Sequence, residues 1–238
     1  MTRRRWIADE VSGSRAALVG AHADHLIRVL RARLGQEFDL SAGNEIRRGR
    51  IISIGENRVE FELGEQLPVE VLVHITLALS IFKFDHLEWA IEKCTELGVA
   101  SIVPVIARRT ETHLAAAAPR RVERWQRIAR QASEQSRRAS PPEISQPIKV
   151  TDAIALPGST RILLSEAEQE ATLKDVLQSH SPGGDVVLAL GPEGGWTDSE
   201  LELFRDAAWS PASLGSTILR SETAAIAAMA VVLAELQK

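Results

Sequence analysis

A glycine-rich turn, GPEGGWT at residues 191–197, joins an apolar stretch to a helical pattern and is the first candidate for a ligand site. Phosphate-binding turns meet negative charge with backbone N–H groups and usually with a lysine or a helix N-terminus. This turn has no lysine and no G-x-G-x-x-G spacing, and it carries Glu193 at its centre with Asp198 and Glu200 just after. Its carboxylates would repel a phosphate, so it predicts a ligand without phosphate, which can carry positive charge. The alternative is a tight turn whose Asp198 caps the next helix.

A second stretch, LGSTILRSETA at residues 214–224, places a charged residue between an apolar pair and the start of a helix. The apolar pair stands where a loop is expected, and Arg220 follows it directly. Ser221 can cap the last helix, and Glu222 is favourable in its first turn. An arginine at this point is either exposed to solvent or committed to a site, and we take it as a candidate site residue.

The elements that must position these residues alternate from residue 71 onward. Predicted strands lie at 71–81, 99–107, 161–167, 185–190 and 212–215, and predicted helices at 85–98, 119–138, 171–178, 198–209 and 221–237. Continuous apolar strands that alternate with helices predict a mostly parallel sheet covered on both faces. Ligands of such sheets bind beyond the carboxyl ends of the strands. Three of these ends carry distinctive sequence, SEAE at 165–168 and the two stretches above, so we expect them to meet.

The first 63 residues have a different pattern, with short strands and one helix. Predicted strands lie at 6–10, 16–20, 37–42, 46–54 and 57–63, and the helix lies at 22–32. This pattern indicates a small β-rich barrel, followed by a linker at 64–70. The predicted fold class is therefore α/β, with a barrel domain at residues 1–68 and a parallel-sheet domain at residues 69–238.

Charge is distributed unevenly along the chain. The net charge of −4 conceals an asymmetry, because the balance is +4 over residues 1–58 and +6 over residues 107–150 but −8 over residues 151–238. In the helix at 119–138, apolar residues share one face and arginines the other. Such a face is either exposed to solvent or binds a polyanion. The arginines in the predicted barrel favour the second interpretation, with RNA as the polyanion. The residues predicted to contact RNA are Arg3, Arg4, Arg28, Arg31, Arg109, Arg124, Arg127, Arg137 and Arg138. Aromatic residues are only 4% of the chain and tyrosine is absent, which argues against a base-stacking platform.

Several classes of site and location are excluded by what the sequence lacks. Cys94 is the only cysteine, so no intramolecular disulfide forms, and its helical position favours a buried apolar role. The six histidines have no metal-ligand spacing, and no G-x-S-x-G nucleophile motif occurs. No segment reaches 18 consecutive apolar residues, and the N-terminus has no signal-peptide pattern. We therefore expect a cytoplasmic protein with no metal and no membrane contact.

At these motifs the chain resembles a known family. LALGPEGGWTDSE together with SLGSTILRSETAAIAA resembles the signature of the RsmE-type ribosomal RNA methyltransferases, which belong to the SPOUT class. EKCTELGVASIVPV and ERWQRIARQASEQSRRASPPEI resemble two further stretches of that family, and HLIRVLRARLGQEFDL resembles its N-terminal PUA-like barrel. The resemblance covers nearly the whole chain, with its motifs in the family's order.

The resemblance implies a SPOUT-type parallel sheet with a trefoil knot, a homodimer, and S-adenosylmethionine as methyl donor. It implies N3-methylation of a uridine in the 16S RNA of the small ribosomal subunit. The residues that it places around the donor are Ser165, Glu166, Leu190, Gly191, Pro192, Glu193, Gly194, Gly195, Leu214, Gly215, Ile218, Leu219, Arg220 and Thr223. One departure from the family's pattern is Thr217, which stands where a basic residue is frequent.

Two residues are predicted to act in catalysis. Because N3 of uridine must lose a proton, negative charge grows on a uracil carbonyl oxygen, and Arg220 is placed to stabilise it. Glu222 either orients Arg220 or accepts the proton. The alternatives are a related SPOUT methyltransferase that acts on transfer RNA, and an RNA-binding module without activity. A nicotinamide-dependent oxidoreductase is disfavoured because the chain has no dinucleotide fingerprint.

Overall fold

In the computed structural model, residues 5–43, 45–68, 73–136, 138–179 and 184–236 are described. The chain forms two compact units, one of residues Met1–Val71 with Ser133–Ser140, the other of Leu72–Ala132 with Pro141–Lys238. The predicted linker at 64–70 is wrong at its start, since a strand continues to Leu67. Residues 69–72 lie outside the described ranges, so the predicted domain boundary between residues 68 and 69 stays a prediction.

The N-terminal unit is a curled six-stranded sheet that forms a half-barrel. Its strands are β1 (Arg5–Ile7), β2 (Glu10–Ser12), β3 (Arg15–Val19), β4 (Glu37–Ala42), β5 (Glu45–Ile54) and β6 (Arg58–Leu67). Their order is β1-β4-β5-β6-β3-β2, and every pair is antiparallel except β1 with β4. The edge strands β1 and β2 are successive parts of one segment, in which Ala8 N donates to Ser41 O at 2.9 Å and Asp9 N to Ala17 O at 3.0 Å. One short segment therefore bonds to both ends of the sheet.

The helix predicted at 22–32 is shorter than expected. An α-helical turn, α1 (Ala21–Asp24), leads into a π-helical turn at His25–Val29. The backbone widens because Leu30 N donates to His25 O, five residues back, at 3.1 Å. Arg31 then has a φ of 51°, which cannot continue a right-handed helix. Leu26 from this segment is buried within the half-barrel.

The C-terminal unit is built on a parallel sheet. Its strands are β7 (Ile75–Ser80), β8 (Ser101–Ile106), β9 (Glu143–Ile144), β10 (Ile148–Lys149), β11 (Thr160–Leu164), β12 (Val186–Leu190) and β13 (Ser210–Ala212). The order is β10-β8-β7-β12-β11-β13, with β9 beside β8, and all pairs are parallel. The predicted parallel sheet is therefore confirmed. The trefoil knot stays a prediction of the family resemblance.

Both faces of this sheet are buried, which explains the continuous apolar strands. Along β12, residues Val186, Leu188 and Leu190 belong to one core, and Val187 and Ala189 belong to the core on the opposite face. The covering helices are α2 (Phe84–Glu96), α3 (Thr112–Ala117), α4 (Val122–Ser136), α5 (Val150–Ala153), α6 (Leu173–Ser179), α7 (Asp198–Asp206) and α8 (Ser221–Leu236). Helix α8 packs against α2 and α6.

Several predicted helix and strand ends move by a few residues. Helix α2 begins at Phe84, so Asp85 lies in its first turn instead of capping it, and it ends before Gly98, whose φ of 92° stops it as predicted. The helix predicted at 119–138 begins at Val122, because a 3₁₀ turn that contains Pro119 precedes it. The strand predicted at 212–215 is β13, which ends at residue 212.

Candidate functional site

A cavity of about 490 Å³ opens at the carboxyl ends of β12, β11 and β13 in the C-terminal unit. These three strands are neighbours in the sheet, so the residues that follow them meet at one edge. Residues 164–166, 190–196 and 212–222 contribute most of the lining. The three strand ends singled out in the sequence therefore come together, and the volume lies in the range of small-molecule sites, about 300–1,000 Å³.

The glycine-rich turn forms one wall of this cavity, and its conformation requires glycine at one position. Gly195 has a φ of 69°, and a Cβ at this residue would lie 2.6 Å from Oε1 of Glu166. Trp196 is buried beneath the turn and donates from Nε1 to the carbonyl oxygen of Leu164 at 3.1 Å. This bond ties the turn to the end of β11, and the glycines leave bare backbone towards the cavity.

The same turn is supported from outside the cavity by residues that follow β8. Arg109 donates from Nη1 to the carbonyl oxygens of Gly194, at 2.5 Å, and of Trp196, at 3.2 Å. No sequence pattern predicts this contact, because 85 residues separate Arg109 from Gly194.

A buried carboxylate fixes the start of the next helix. Thr197 and Glu200 form a capping box at the start of α7, so the alternative interpretation, in which Asp198 caps this helix, is wrong. Glu200 is 5% exposed and also accepts a hydrogen bond from Arg108 N at 2.7 Å, which links the turn to the segment after β8. Hydrogen bonds therefore fix the turn both to the end of β11 and to the segment that follows β8.

The segment between β13 and α8 forms the opposite wall. Leu214 and Leu219 are partly buried, whereas the side chain of Ile218 is 87% exposed and still lines the cavity. Arg220 is exposed, and its guanidinium makes no hydrogen bond or ion pair within the described ranges. The segment therefore presents apolar surface and one unpaired cation at the mouth of the cavity.

A hydrogen-bonding contact to a buried carboxylate joins α8 to α2 at the cavity. Glu222, in the first turn of α8, is 3% exposed, and its Oε1 lies 2.8 Å from Nδ1 of His86 on α2. His86 and Lys83 both line the cavity, although no sequence motif predicted them as site residues. They follow β7, the strand next to β12 in the sheet. The sequence feature that could have pointed to them is their position after a fourth predicted strand, whose carboxyl end lies at the same edge of the sheet.

Comparison with known proteins agrees with this architecture. A family model described as an RNA methyltransferase domain matches residues 69–233. The ribosomal RNA small subunit methyltransferase E of Rickettsia conorii is 34% identical over 221 residues, which cover 91% of this chain and 88% of that protein. The protein of the same name from Synechocystis is 31% identical, over 93% of this chain and 74% of that protein. This chain belongs to the ribosomal RNA small subunit methyltransferase E family.

Solved structures support the same family assignment. The family member from Neisseria gonorrhoeae, crystallised with S-adenosylmethionine, superposes with a TM-score of 0.85 at 31% identity, over 98% of both chains. A methyltransferase from Legionella pneumophila, also in complex with S-adenosylmethionine, gives a TM-score of 0.84 at 28% identity, again over 98% of both chains. The fold of this chain is therefore that of the methyltransferase E family in both units.

Most of the residues predicted to surround the methyl donor lie around one cavity. Twelve of those fourteen residues line it, and Gly194 and Thr223 do not. Gly194 faces Arg109 on the outer side of the turn, and Thr223 is exposed on α8. Apart from Glu222, the further lining residues outside that predicted set are Lys83, His86, Leu164, Trp196, Ala212, Ser213, Ser216, Thr217, Ser221 and Ala224. The binding role of each predicted residue stays a prediction.

The arginines predicted to contact RNA differ in whether their guanidinium groups are bonded to protein groups, buried or exposed to solvent. Arg124 forms a bidentate pair with Glu88 at 2.6 and 2.7 Å, and Arg109 is bonded to the glycine-rich turn. Burial lowers the pKa of Arg138 to about 10. Arg28 contacts Asp24 at 3.4 Å and is otherwise exposed, as are Arg31 and Arg127. Arg3, Arg4 and Arg137 lie outside the described residues.

Three further features of the described residues concern metal ions, membrane-spanning helices and the buried cysteine. No group of three or more His, Cys, Asp or Glu side chains within it has the geometry to hold a metal ion. None of its helices is both long enough and apolar enough to cross a membrane. Cys94 is fully buried in α2, and burial raises the pKa of its thiol from 9.0 to about 12.

Proposed function

We propose that this protein methylates N3 of a uridine in the 16S RNA of the small ribosomal subunit, with S-adenosylmethionine as methyl donor. One observation carries the proposal: the two family motifs form the walls of a single cavity at the carboxyl edge of the parallel sheet. The chain is 31% identical to a methyltransferase E that was crystallised with S-adenosylmethionine.

The cavity suits this donor in size and chemistry. Its volume of about 490 Å³ is that of a drug-sized ligand site, and its glycine-rich wall exposes backbone groups for hydrogen bonds. Glu166 and Glu193 line it, and these carboxylates suit a cationic ligand without phosphate. Leu214, Ile218 and Leu219 offer apolar surface for the adenine ring. When bound, S-adenosylmethionine supplies an electrophilic methyl group on a positively charged sulfur.

Arg220 is proposed to stabilise the uracil as it becomes anionic. Its guanidinium is exposed at the cavity and has no protein partner among the described residues, so it is available for a substrate oxygen. A cation beside a uracil carbonyl oxygen favours loss of the N3 proton, because the negative charge spreads onto that oxygen. Much of the remaining rate enhancement is expected from alignment of N3 with the methyl group.

Glu222 is proposed to accept the N3 proton. The alternative role, orientation of Arg220, requires a hydrogen bond between the two side chains, and the described contacts of Glu222 are with His86. Glu222 lines the cavity as well, so one of its oxygens can meet a substrate there. We assign it the role of proton acceptor on this ground.

The partners and location follow from the proposed substrate. Exposed Arg28, Arg31 and Arg127 are proposed to contact RNA phosphates. We also propose that the protein forms a homodimer, as the family resemblance implies, and that it works in the cytoplasm, where small ribosomal subunits assemble. Light scattering after gel filtration gives the oligomeric state directly, and a monomeric mass at micromolar concentration contradicts the dimer.

The test is methylation of purified small ribosomal subunits, followed by mass mapping of methylated nucleosides. Arg220→Ala and Glu222→Gln are each expected to lower the rate at saturating donor by about 100-fold, a typical loss for a charge-stabilising or proton-accepting group. Arg205→Ala, an exposed arginine on α7, is the matched control. Wild-type rates for both site variants would overturn the catalytic assignment. Methylation of transfer RNA alone would favour the related transfer RNA enzymes, and failure to bind the donor would favour an RNA-binding module without activity.

A further inference from the structure

We propose that His86 is a positioning residue for the methyl-transfer reaction, which holds the buried carboxylate of Glu222 in the orientation that accepts the uridine N3 proton. This inference rests on the proposed function and adds a residue that none of the recognised motifs contains. It arises from one contact between two helices, made at the wall of the cavity.

One oxygen of the Glu222 carboxylate lies within hydrogen-bond distance of His86. Nδ1 of His86 lies 2.8 Å from Oε1 of Glu222. The side chain of Glu222 is 4% exposed, whereas that of His86 is 32% exposed. A buried carboxylate is costly unless it is hydrogen-bonded, and among the described residues His86 is the partner that Glu222 has. Its Oε2 has no protein partner in the same part of the chain, while the residue lines the cavity.

The charges around His86 explain why the ring takes this orientation. Its Nε2 lies 3.7 Å from Oδ2 of Asp85, which is 77% exposed. Lys83 lines the same cavity, and Arg220 precedes Glu222 by two residues. Nδ1 lies within hydrogen-bond distance of Glu222, whereas Nε2 lies farther from Asp85, so the imidazole tautomer that donates from Nδ1 to Glu222 is favoured. The solvated Asp85 contributes less than the buried Glu222, so Glu222 and His86 orient each other.

The proposed step balances within the site. The N3–H bond of uridine breaks and an O–H bond forms at Oε2 of Glu222, while the electron pair remains on N3. Oε1 stays bonded to His86 throughout, so the carboxyl group cannot rotate away from the substrate. After the product leaves, the proton passes from Glu222 to water. His86 therefore acts through Glu222 and touches no reacting atom.

The experiment compares His86→Leu, which removes the donor, with His86→Asn, whose side-chain amide nitrogen lies near the place of Nδ1 and can donate. His113→Leu, an exposed histidine outside the cavity lining, is the matched control. The readouts are the single-turnover rate and the KM for small subunits, the calorimetric affinity for S-adenosylhomocysteine, and the Tm. The ¹⁵N spectrum of the imidazole in the donor-free protein is a further readout, which needs no turnover.

Loss of the positioning contact is expected to lower the single-turnover rate of His86→Leu by about 10- to 100-fold, the range that misplacement of a catalytic group produces. His86→Asn is expected to recover most of that rate. The KM and the affinity for S-adenosylhomocysteine are expected to stay within about twofold of wild type. In the donor-free wild type, the ¹⁵N spectrum is expected to show a proton on Nδ1, and Glu222→Ala is expected to remove the preference for that nitrogen.

Three results would overturn the inference. A wild-type rate for His86→Leu shows that Glu222 needs no support, and equally slow His86→Leu and His86→Asn variants show that donation from this position is not what matters. A loss of S-adenosylhomocysteine affinity that matches the loss of rate places His86 in the donor pocket instead. A wild-type protein that methylates no small subunits overturns the proposed function itself, and this outcome is separate because it involves no variant.

Discussion

The guanidinium of Arg109 holds the glycine-rich turn by its backbone, with Nη1 2.5 Å from the carbonyl oxygen of Gly194. The two residues follow different strands of the sheet, β8 and β12, which are separated by β7. A charged side chain outside the cavity therefore fixes the conformation of the wall inside it. An arginine that the sequence assigned to RNA contact has a structural role in this turn.

Removal of the Arg109 side chain is expected to loosen the turn and weaken donor binding. Arg109→Ala loses two hydrogen bonds to backbone carbonyls, each with a net value of about 1 kcal/mol. We expect the affinity for S-adenosylhomocysteine to fall by about 5- to 30-fold, because part of that energy is then required to order the turn. Arg108→Ala is the control, since Arg108 contacts Glu200 only through its backbone. Equal calorimetric affinities for the two variants would contradict this role.

A side chain at Gly195 is expected to strain the turn, because its φ of 69° is unfavourable for alanine. The added Cβ would lie 2.6 Å from Oε1 of Glu166, but this atom ends an exposed, flexible side chain that can move aside. Gly195→Ala is expected to lower the free energy of unfolding by about 1–3 kcal/mol. The double variant Gly195→Ala with Glu166→Ala keeps the backbone strain, so it should recover little of the loss. Chemical denaturation measures both, and an unaffected single variant contradicts the turn geometry.

The buried thiol of Cys94 is expected to make stability fall at high pH. Burial raises its pKa from 9.0 to about 12 in the folded protein, so the unfolded chain loses this proton first as the pH rises. The stabilising effect is complete below about pH 9 and is lost between pH 9 and 12, at about 1.4 kcal/mol per pH unit. Urea titrations at pH 8, 9.5 and 10.5 should show this slope in the wild type relative to Cys94→Ala. Parallel curves for the two proteins would contradict it.

Two arginines on one helix are expected to contribute unequally to RNA binding. Arg124 is paired with Glu88, whereas Arg127 is exposed and makes no ion pair with Glu123 in the described structure. Arg127→Ala is expected to lower RNA affinity and to reduce the slope of log affinity against log salt by about 1. Arg124→Ala should change both quantities less, because its charge is already compensated. Fluorescence anisotropy over a salt series gives the slopes, and a larger effect for Arg124 contradicts the argument.

Local sequence patterns predicted the helices and strands well but missed their exact ends. Asp85 has the chemistry of a helix cap, yet α2 begins one residue earlier at Phe84, whose ring packs against Trp125. Asp198 was a plausible cap for α7, but Thr197 forms the capping box, since its partner Glu200 is buried and bonded to Arg108 N. Cap residues of similar propensity compete within two positions, and contacts from distant segments decide between them.

The sequence by itself determined the parallel sheet, the glycine-rich turn and the family motifs, because these depend on periodicity and on residue type within short segments. The tertiary structure alone decided which side chains support them. Arg109 reaches Gly194 across 85 residues, and His86 reaches Glu222 across 136. Such contacts leave no periodic trace in a single sequence. They exist because the order of strands brings the residues after β7 and β8 to the same edge as those after β11, β12 and β13.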